Sequence, residues 1–320
     1  MIKKIINPLL VTATAMLLST TSLAGMSSEP KGTDFNIQPK KVADGVYCMF
    51  GAIEMPMASN GGFMSNHCFI QTEDSWVLWD TGATFKFAQQ SYEAMQKIAD
   101  LPVKVALFSH EHDDHWLGAN YYKERFGTKF IGTSIINERY KPGHEAETRM
   151  FKILNPADVD GTKIIRIDEP HHKQSQNYTF GGVKMEYISL GQAHSEDDYL
   201  LYLPEKKVIL TADVVMNGRI TSNRNGLVMG QLKALDLIKS KDWDVCVPGH
   251  GFNTGKTAID ESVKYFTQMK EQILQALDDG VEATEINEVV TLPDFKDKGL
   301  YDVLNSNNVS RSYTELEMMD

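Results

Sequence analysis

The sequence predicts an α/β protein in which helices cover β-sheets. Three observations carry that expectation. Short apolar runs alternate with segments of helical spacing in both halves of the 320-residue chain. Acidic and histidine side chains follow directly after several of the apolar runs, where layered α/β proteins place functional groups. No motif recurs with a period of 20 to 50 residues, which excludes a solenoid or propeller. With 42% hydrophobic and 23% charged residues, the chain can build an ordinary core.

In order along the chain, Val46 to Phe50, Cys68 to Gln71 and Trp76 to Trp79 have strand length, with Glu73-Asp74 as a hairpin turn. Phe85 to Ala99 places Phe87, Tyr92, Met95 and Ile98 on one helical face. Val103 to Phe108 reads as a buried strand, Leu117 to Phe126 as a helix stopped by Gly127, and Lys129 to Ile131 as a strand. The second half offers strands at Lys163 to Ile167, Val183 to Leu190, Tyr199 to Leu203, Val208 to Leu210 and Trp243 to Val247. Leu232 to Ser240 reads as a helix. Thr257 to Leu277 reads as a longer one, with Ile259, Val263, Phe266, Ile273 and Leu277 in register, ended by Gly280.

Lys3 and Lys4, an apolar run from Pro8 through Leu18, and Ser22-Leu23-Ala24 form the pattern of a secretory signal peptide. The run is shorter than the roughly 20 residues of a spanning helix. The expected organisation is a signal peptide over 1–24, a flexible arm over 25–41, and one domain over 42–320 with a C-terminal helical extension. The destination would be the periplasm of a Gram-negative cell, or otherwise the medium, without stable membrane insertion after cleavage. In an oxidising compartment Cys48 and Cys68 either pair or remain buried thiols, and Cys246 is a small core residue. The formal charge of −11 disfavours nucleic acid as a partner and leaves a small molecule as the expected substrate.

The chemistry concentrates in Ser109-His110-Glu111-His112-Asp113-Asp114-His115, just after an apolar strand. His110, His112, Asp114 and His115 are ligand types suited to zinc or non-haem iron. A tight turn cannot bury so many charged groups unpaired, and a metal would resolve that. Asp80, His194, Asp213 and His250 each follow another apolar run, beside small residues. His67, His144, His171 and His172 read as exposed or hydrogen-bonded histidines. Residues 53–66, with Met55, Met57, Phe63 and Met64, form either a flap over a groove or a surface hairpin. Trp116 reads as core.

The order Asp80, His110-x-His112-x-Asp114-His115, His194, Asp213, His250 resembles the metallo-β-lactamase-fold superfamily, over about two-thirds of the chain. The resemblance implies a four-layer αββα sandwich with metals in a groove at one edge. It implies that His110, His112 and His194 hold one metal, that Asp114, His115 and His250 hold a second, and that Asp213 bridges them. Asp80 would orient the loop rather than bind metal. Asp213 stands where β-lactamases of one class carry Cys, which favours the wider hydrolases typified by glyoxalase II. Short patterns at Gly45-Val46-Tyr47, Asn60-Gly61-Gly62, Asn66, Asn308-Val309 and Tyr313-x-Glu315-Leu316-Glu317 are similar to a secreted branch of the superfamily.

The implied activity is an exported hydrolase with two Zn²⁺, with Fe or Mn as alternatives. A metal-bridging hydroxide, oriented by Asp114 as the catalytic residue, would attack an ester, thioester, lactone or amide-type bond. The competing expectations are β-lactamase activity, a mononuclear iron oxidoreductase of the persulfide dioxygenase type, and a non-catalytic binding protein.

Overall fold

Period-two alternation decides which way each strand faces. In β4 (Trp76–Trp79), Trp76 and Leu78 turn toward helices while Val77 and Trp79 turn toward a second sheet. In β10 (Asp198–Leu203), Leu200 and Tyr202 face outward and Tyr199, Leu201 and Leu203 face the first sheet. The computed structural model, which describes residues 32–319, therefore has three apolar layers: one between the sheets and one under each set of helices. The segment read as a signal peptide lies outside the described residues.

The first sheet contains β1 (Lys40–Ala43), β2 (Val46–Met49), β3 (His67–Gln71), β4, β5 (Val103–Leu107), β6 (Lys129–Thr133) and β7 (Glu169–His171), in that spatial order. Its first four strands are antiparallel neighbours, and β4 through β7 run parallel. The second sheet has the order β12 (Val245–His250), β11 (Val208–Met216), β10, β9 (Val183–Gly191), β8 (Gln176–Phe180). Only β11 and β12 are parallel in it.

Helix α1 (Phe85–Gln96) starts at Thr84, whose hydroxyl accepts from the Phe87 amide, and buries Phe87, Ala88, Tyr92 and Met95. Ile98 lies beyond its end and is exposed, so the expected face stops one turn early. Short helices α2 (Asp113–Trp116), α3 (Asn120–Phe126), α4 (Ser134–Arg139), α5 (Arg149–Ile153) and α6 (Pro156–Val159) follow on this half. Gly127 ends α3 with φ of 67°, a conformation that favours glycine. The second sheet is covered by α7 (Val228–Ser240), α8 (Asp260–Asp278), α9 (Ile286–Val289) and α10 (Tyr301–Glu317). Two mixed sheets flanked by helices are the expected αββα sandwich. No described helix is long and apolar enough to cross a membrane.

Three expectations need correction. Lys163 to Ile167 is not a strand; the strand in this region is β7. Its amides bond to side chains instead, Ile164 to Glu145 and Ile167 to Asn137, while both isoleucines pack under the helices. The arm drawn over 25–41 is not loose along its described part. The Thr33 amide donates to Asp158, Phe35 packs edge-on against Phe87, and Lys40 and Lys41 begin β1. Strand β11 runs on to Met216, six residues past its expected end, and so carries Asp213 inside the sheet.

Cys48 and Cys68, whose pairing the sequence left open, face each other across β2 and β3 and form a disulfide. Cys246 is a buried free thiol, and Trp116 is core, donating to the Glu111 carbonyl.

Candidate metal centre

All the candidate site residues converge at one edge of the sandwich. Asp80 directly follows strand β4, and β5 leads into His110. Helix α2 carries Asp114 and His115, with His112 at its N-cap. His194 leaves β9, Asp213 lies in β11, and His250 ends β12. Two non-glycine residues here take positive φ, Asp80 at 58° and Ala212 at 43°, each costing about 1–3 kcal/mol. The first sets the Asp80 carboxylate against Ser109 and the outward nitrogen of His115, and the second precedes Asp213, whose carboxylate enters the centre. The sheets are joined at this edge: the Tyr199 amide donates to the Ser109 carbonyl, and Asn66 spans from Gly51 to Pro248 and Gly251.

Two groups form. His110, His112, His194 and Asp213 offer one ligand atom each within 4.8 Å of one another, and so do Asp114, His115 and His250. His112 Nδ1 lies 3.0 Å from both His110 Nε2 and His194 Nε2. Asp213 Oδ2 is 3.3 Å from the Nε2 atoms of His194 and His250, and Asp213 Oδ1 is 3.1 Å from His115 Nε2. The carboxylate thus reaches both groups.

The outward nitrogens are held in turn. His115 Nδ1 donates to Asp80 at 2.8 Å, and His250 Nδ1 donates to the Met64 carbonyl at 2.6 Å. His110 and His194 pair with the hydroxyls of Ser109 and Thr221. Asp80 also accepts from the Ser109 amide and hydroxyl, so it orients the loop and touches none of the inward atoms. A hydrogen-bonded outer nitrogen with its partner facing a common centre is how metal-binding imidazoles are set.

The donors fit a pair of cations. His115 Nε2 and Asp213 Oδ1 are buried and lack hydrogen-bond partners among the described residues, despite their proximity. One proton cannot serve His112 Nδ1 in two 3.0 Å contacts, whereas a shared cation can. Burial, reinforced by neighbouring imidazoles, holds His110 and His112 far below the ordinary histidine range. It lowers His194 to about 4 against the pull of Asp213. Burial would lower His115 too, but Asp213, Asp114 and Asp80 hold it well above. Divalent metals need neutral imidazoles and ionised carboxylates, which His110, His112, His194, Asp114 and Asp213 supply, whereas His115 would give up its proton to a cation.

Asp114 is positioned from outside. Its Oδ1 accepts from Arg149 at 2.7 Å, leaving Oδ2 at 3.6 Å from His115 and 3.5 Å from His250. Arg149 also pairs with Asp113, so α5 clamps the start of α2. Above the ligands is a cavity of about 190 Å³. Met55 and Met64 of the 53–66 segment line it, while Met57 is exposed and Phe63 packs on Phe87. The opposite wall is Leu304, Asn307 and Asn308 of α10, with Met216, Arg219 and Arg224 between. Asn308 accepts from the Asn223 amide and donates to the Thr221 carbonyl, and Glu315 accepts from the first amides of α7. Sequence reading missed Arg149 and Arg219, and it quoted Asn308 only as part of a family pattern and not as a wall of the cavity, because single residues on distant elements carry no spacing signal.

Of the four remaining histidines, His144 is exposed and pairs with Glu147, His172 is exposed, and His171 bonds Tyr178. His67 departs from expectation. It is fully buried on β3, 4.7 Å from the Phe87 ring, with no partner for either nitrogen among the described residues. Burial, aided by the charge of His115, lowers it to about 3. An unfolded histidine titrates near 6.5, so only the unfolded chain takes up this proton as the pH falls below that value. The stability of the neutral buried ring is complete above about pH 6.5 and is lost toward pH 3. His67→Leu is therefore expected to gain about 2 kcal/mol at pH 5 relative to its effect at pH 7.5. Urea unfolding at the two pH values measures this, and an identical pH dependence in both proteins would count against it.

Comparison with known proteins agrees with this geometry. The profile of the metallo-beta-lactamase superfamily matches residues 60–250. A linear primary-alkylsulfatase of Pseudomonas sp. (strain ATCC 19151) is 20% identical over 263 residues, covering 70% of this chain and 49% of that protein. The metallo-beta-lactamase IND-1 of Chryseobacterium indologenes is 24% identical over 225 residues, covering 68% and 82%. The stereoselective inverting sec-alkylsulfatase Pisa1 from Pseudomonas sp. superimposes with a TM-score of 0.67 at 19% identity, covering 90% of this chain and 53% of that one. The chain thus spans about half the length of these alkylsulfatases. The profile match takes in more than half of the sequence and every candidate ligand, and the chain belongs to the metallo-beta-lactamase superfamily.

Proposed function

We propose that the protein is an exported hydrolase that holds two zinc ions and cleaves an ester-type bond. The observation that carries this reading is the pair of adjoining ligand groups with buried atoms left unpartnered between them. His110, His112 and His194 would hold one ion, Asp114, His115 and His250 the other, with Asp213 shared. Such ions supply a nucleophilic water at neutral pH and polarise the bond under attack. Asp114, fixed by Arg149 through Oδ1, would turn Oδ2 to the second ion beside His115 and His250 and so orient the attacking water. Asp80 and Ser109 keep the ligand loop from relaxing, and the cavity walls limit access of bulk water.

The relatives point to two substrate classes, sulfate esters and β-lactams. The completeness of the second group, Asp114, His115 and His250, favours two-metal hydrolysis over a single-iron oxidoreductase. The Cys48–Cys68 disulfide supports export to an oxidising compartment, the periplasm of a Gram-negative cell. Purified protein is expected to contain two zinc per chain, to hydrolyse at least one of an alkyl sulfate, a β-lactam, a lactone, a thioester or a carboxylic ester, and to lose that activity with a chelator. One iron per chain and no hydrolysis across the panel would overturn the reading.

A further inference from the structure

Three arginines, Arg139, Arg149 and Arg219, surround the ligand loop, and the first two are paired. Arg149 binds Asp113 and Asp114, and Arg139 binds Glu111 and Glu196. Arg219 is different. Only 5% of it is exposed, yet it makes no ion pair with a described residue. Its Nε donates to the Ile220 carbonyl at 3.3 Å, and its Nη1 is buried without a partner. A guanidinium keeps its charge at any ordinary pH and has five donors to satisfy, so burying it unpaired is costly.

The backbone offers no escape. Gly299 donates to the Gly218 carbonyl and accepts from the Ile220 amide, pinning Arg219 against the chain that leads into α10. A Cβ on Gly299 would lie 3.1 Å from the Arg219 Cβ, so the approach is already close. Arg219 is one of the residues lining the cavity above the metal ligands. The carboxylates that act on it most are Asp213 and Asp114, both committed to the metals in the proposed function, while Glu54 is exposed and acts least. Beside the arginine the cavity presents Met55, Met216 and Leu304, a flexible apolar surface.

We propose that Arg219 is the receptor for an oxyanion group of the substrate and that Met55, Met216 and Leu304 seat its apolar portion, so that the substrate is an amphiphilic anion. This rests on the hydrolase reading, which it narrows. The guanidinium fork suits a sulfate or carboxylate held by two oxygens.

Calorimetry on the zinc-loaded protein tests it without turnover. Hexanesulfonate, hexanoate and 1-hexanol share an alkyl chain and differ in the head. One of the two anions should bind at least tenfold more tightly than the alcohol, and which one it is assigns the head group. Arg219→Met should lose at least tenfold for that anion and nothing for hexanol. Arg219→Lys, which keeps the charge without the fork, should fall between, and it serves as the working variant should the methionine protein misfold. Equal binding of anions and alcohol by the wild type would overturn the proposal, as would undiminished anion binding in both variants at full zinc content. The two readings fail separately. Arg219-dependent anion binding without hydrolysis of any panel substrate retains the receptor and removes the enzyme. Hydrolysis with a KM for anionic substrates indifferent to Arg219 does the reverse.

Discussion

Asp114→Ala should reduce kcat by about 10³-fold on whichever panel substrate the wild type cleaves, because it removes both a ligand of the second group and the carboxylate that orients the nucleophile. The bound zinc should fall toward one per chain. The protein should nevertheless fold, because the partner that loses Asp114 is not stranded. Arg149 retains Asp113 at 2.9 Å, and the Met150 amide retains the same carboxylate. The loss would therefore fall on the chemistry, where Oδ2 faces His115 and His250, rather than on the core. Circular dichroism, zinc content and steady-state kinetics measured together check this. Unchanged kcat at unchanged zinc content would remove Asp114 from its proposed role.

Gly249→Ala should do comparable damage by a different route. A Cβ at that position would lie 2.0 Å from Asp213 Oδ1, 2.5 Å from the Ala212 carbonyl carbon and 2.6 Å from the Asp213 amide nitrogen. Two of the three are backbone atoms of β11, so no side-chain rotation relieves the overlap. The parallel pair β11–β12 must separate where its register already shifts around Ala212. Overpacking of this kind costs about 3 kcal/mol. It also displaces the carboxylate that reaches both ligand groups. Wild type should melt at higher temperature when zinc is added, since a ligand of the native state stabilises it. The variant should melt lower and gain little from zinc. A wild-type melting temperature with a full zinc response would contradict the steric argument.

The sequence made the ligand set legible because the chemistry is local in kind. Four ligand types within His110 to His115 have no bland explanation, and Asp80, His194, Asp213 and His250 each followed an apolar run. The sandwich was legible for the same reason, since period-two runs such as Trp76 to Trp79 recur in both halves. What escaped was set by tertiary context. Lys163 to Ile167 is apolar enough for a strand, but Asn137 and Glu145 take its amides. Thr211-Ala212-Asp213 read as residues following the Val208 to Leu210 strand, yet β11 continues to Met216 with every residue buried. His67 looked like any lone histidine, and only its surroundings make it an unpartnered core group. Arg149 and Arg219 matter through what they meet or fail to meet, which no spacing encodes.

The helix α10 wall divides labour within the molecule. Every candidate ligand lies between residues 110 and 250, whereas Leu304, Asn307 and Asn308 arrive on an element outside that span and touch the cavity from above. One wall of the cavity is thereby written in a stretch of sequence separate from the ligands, while Met216 and Arg219 lie within their span. Change in α10 can retune what enters while the metal cage stays under its own constraints.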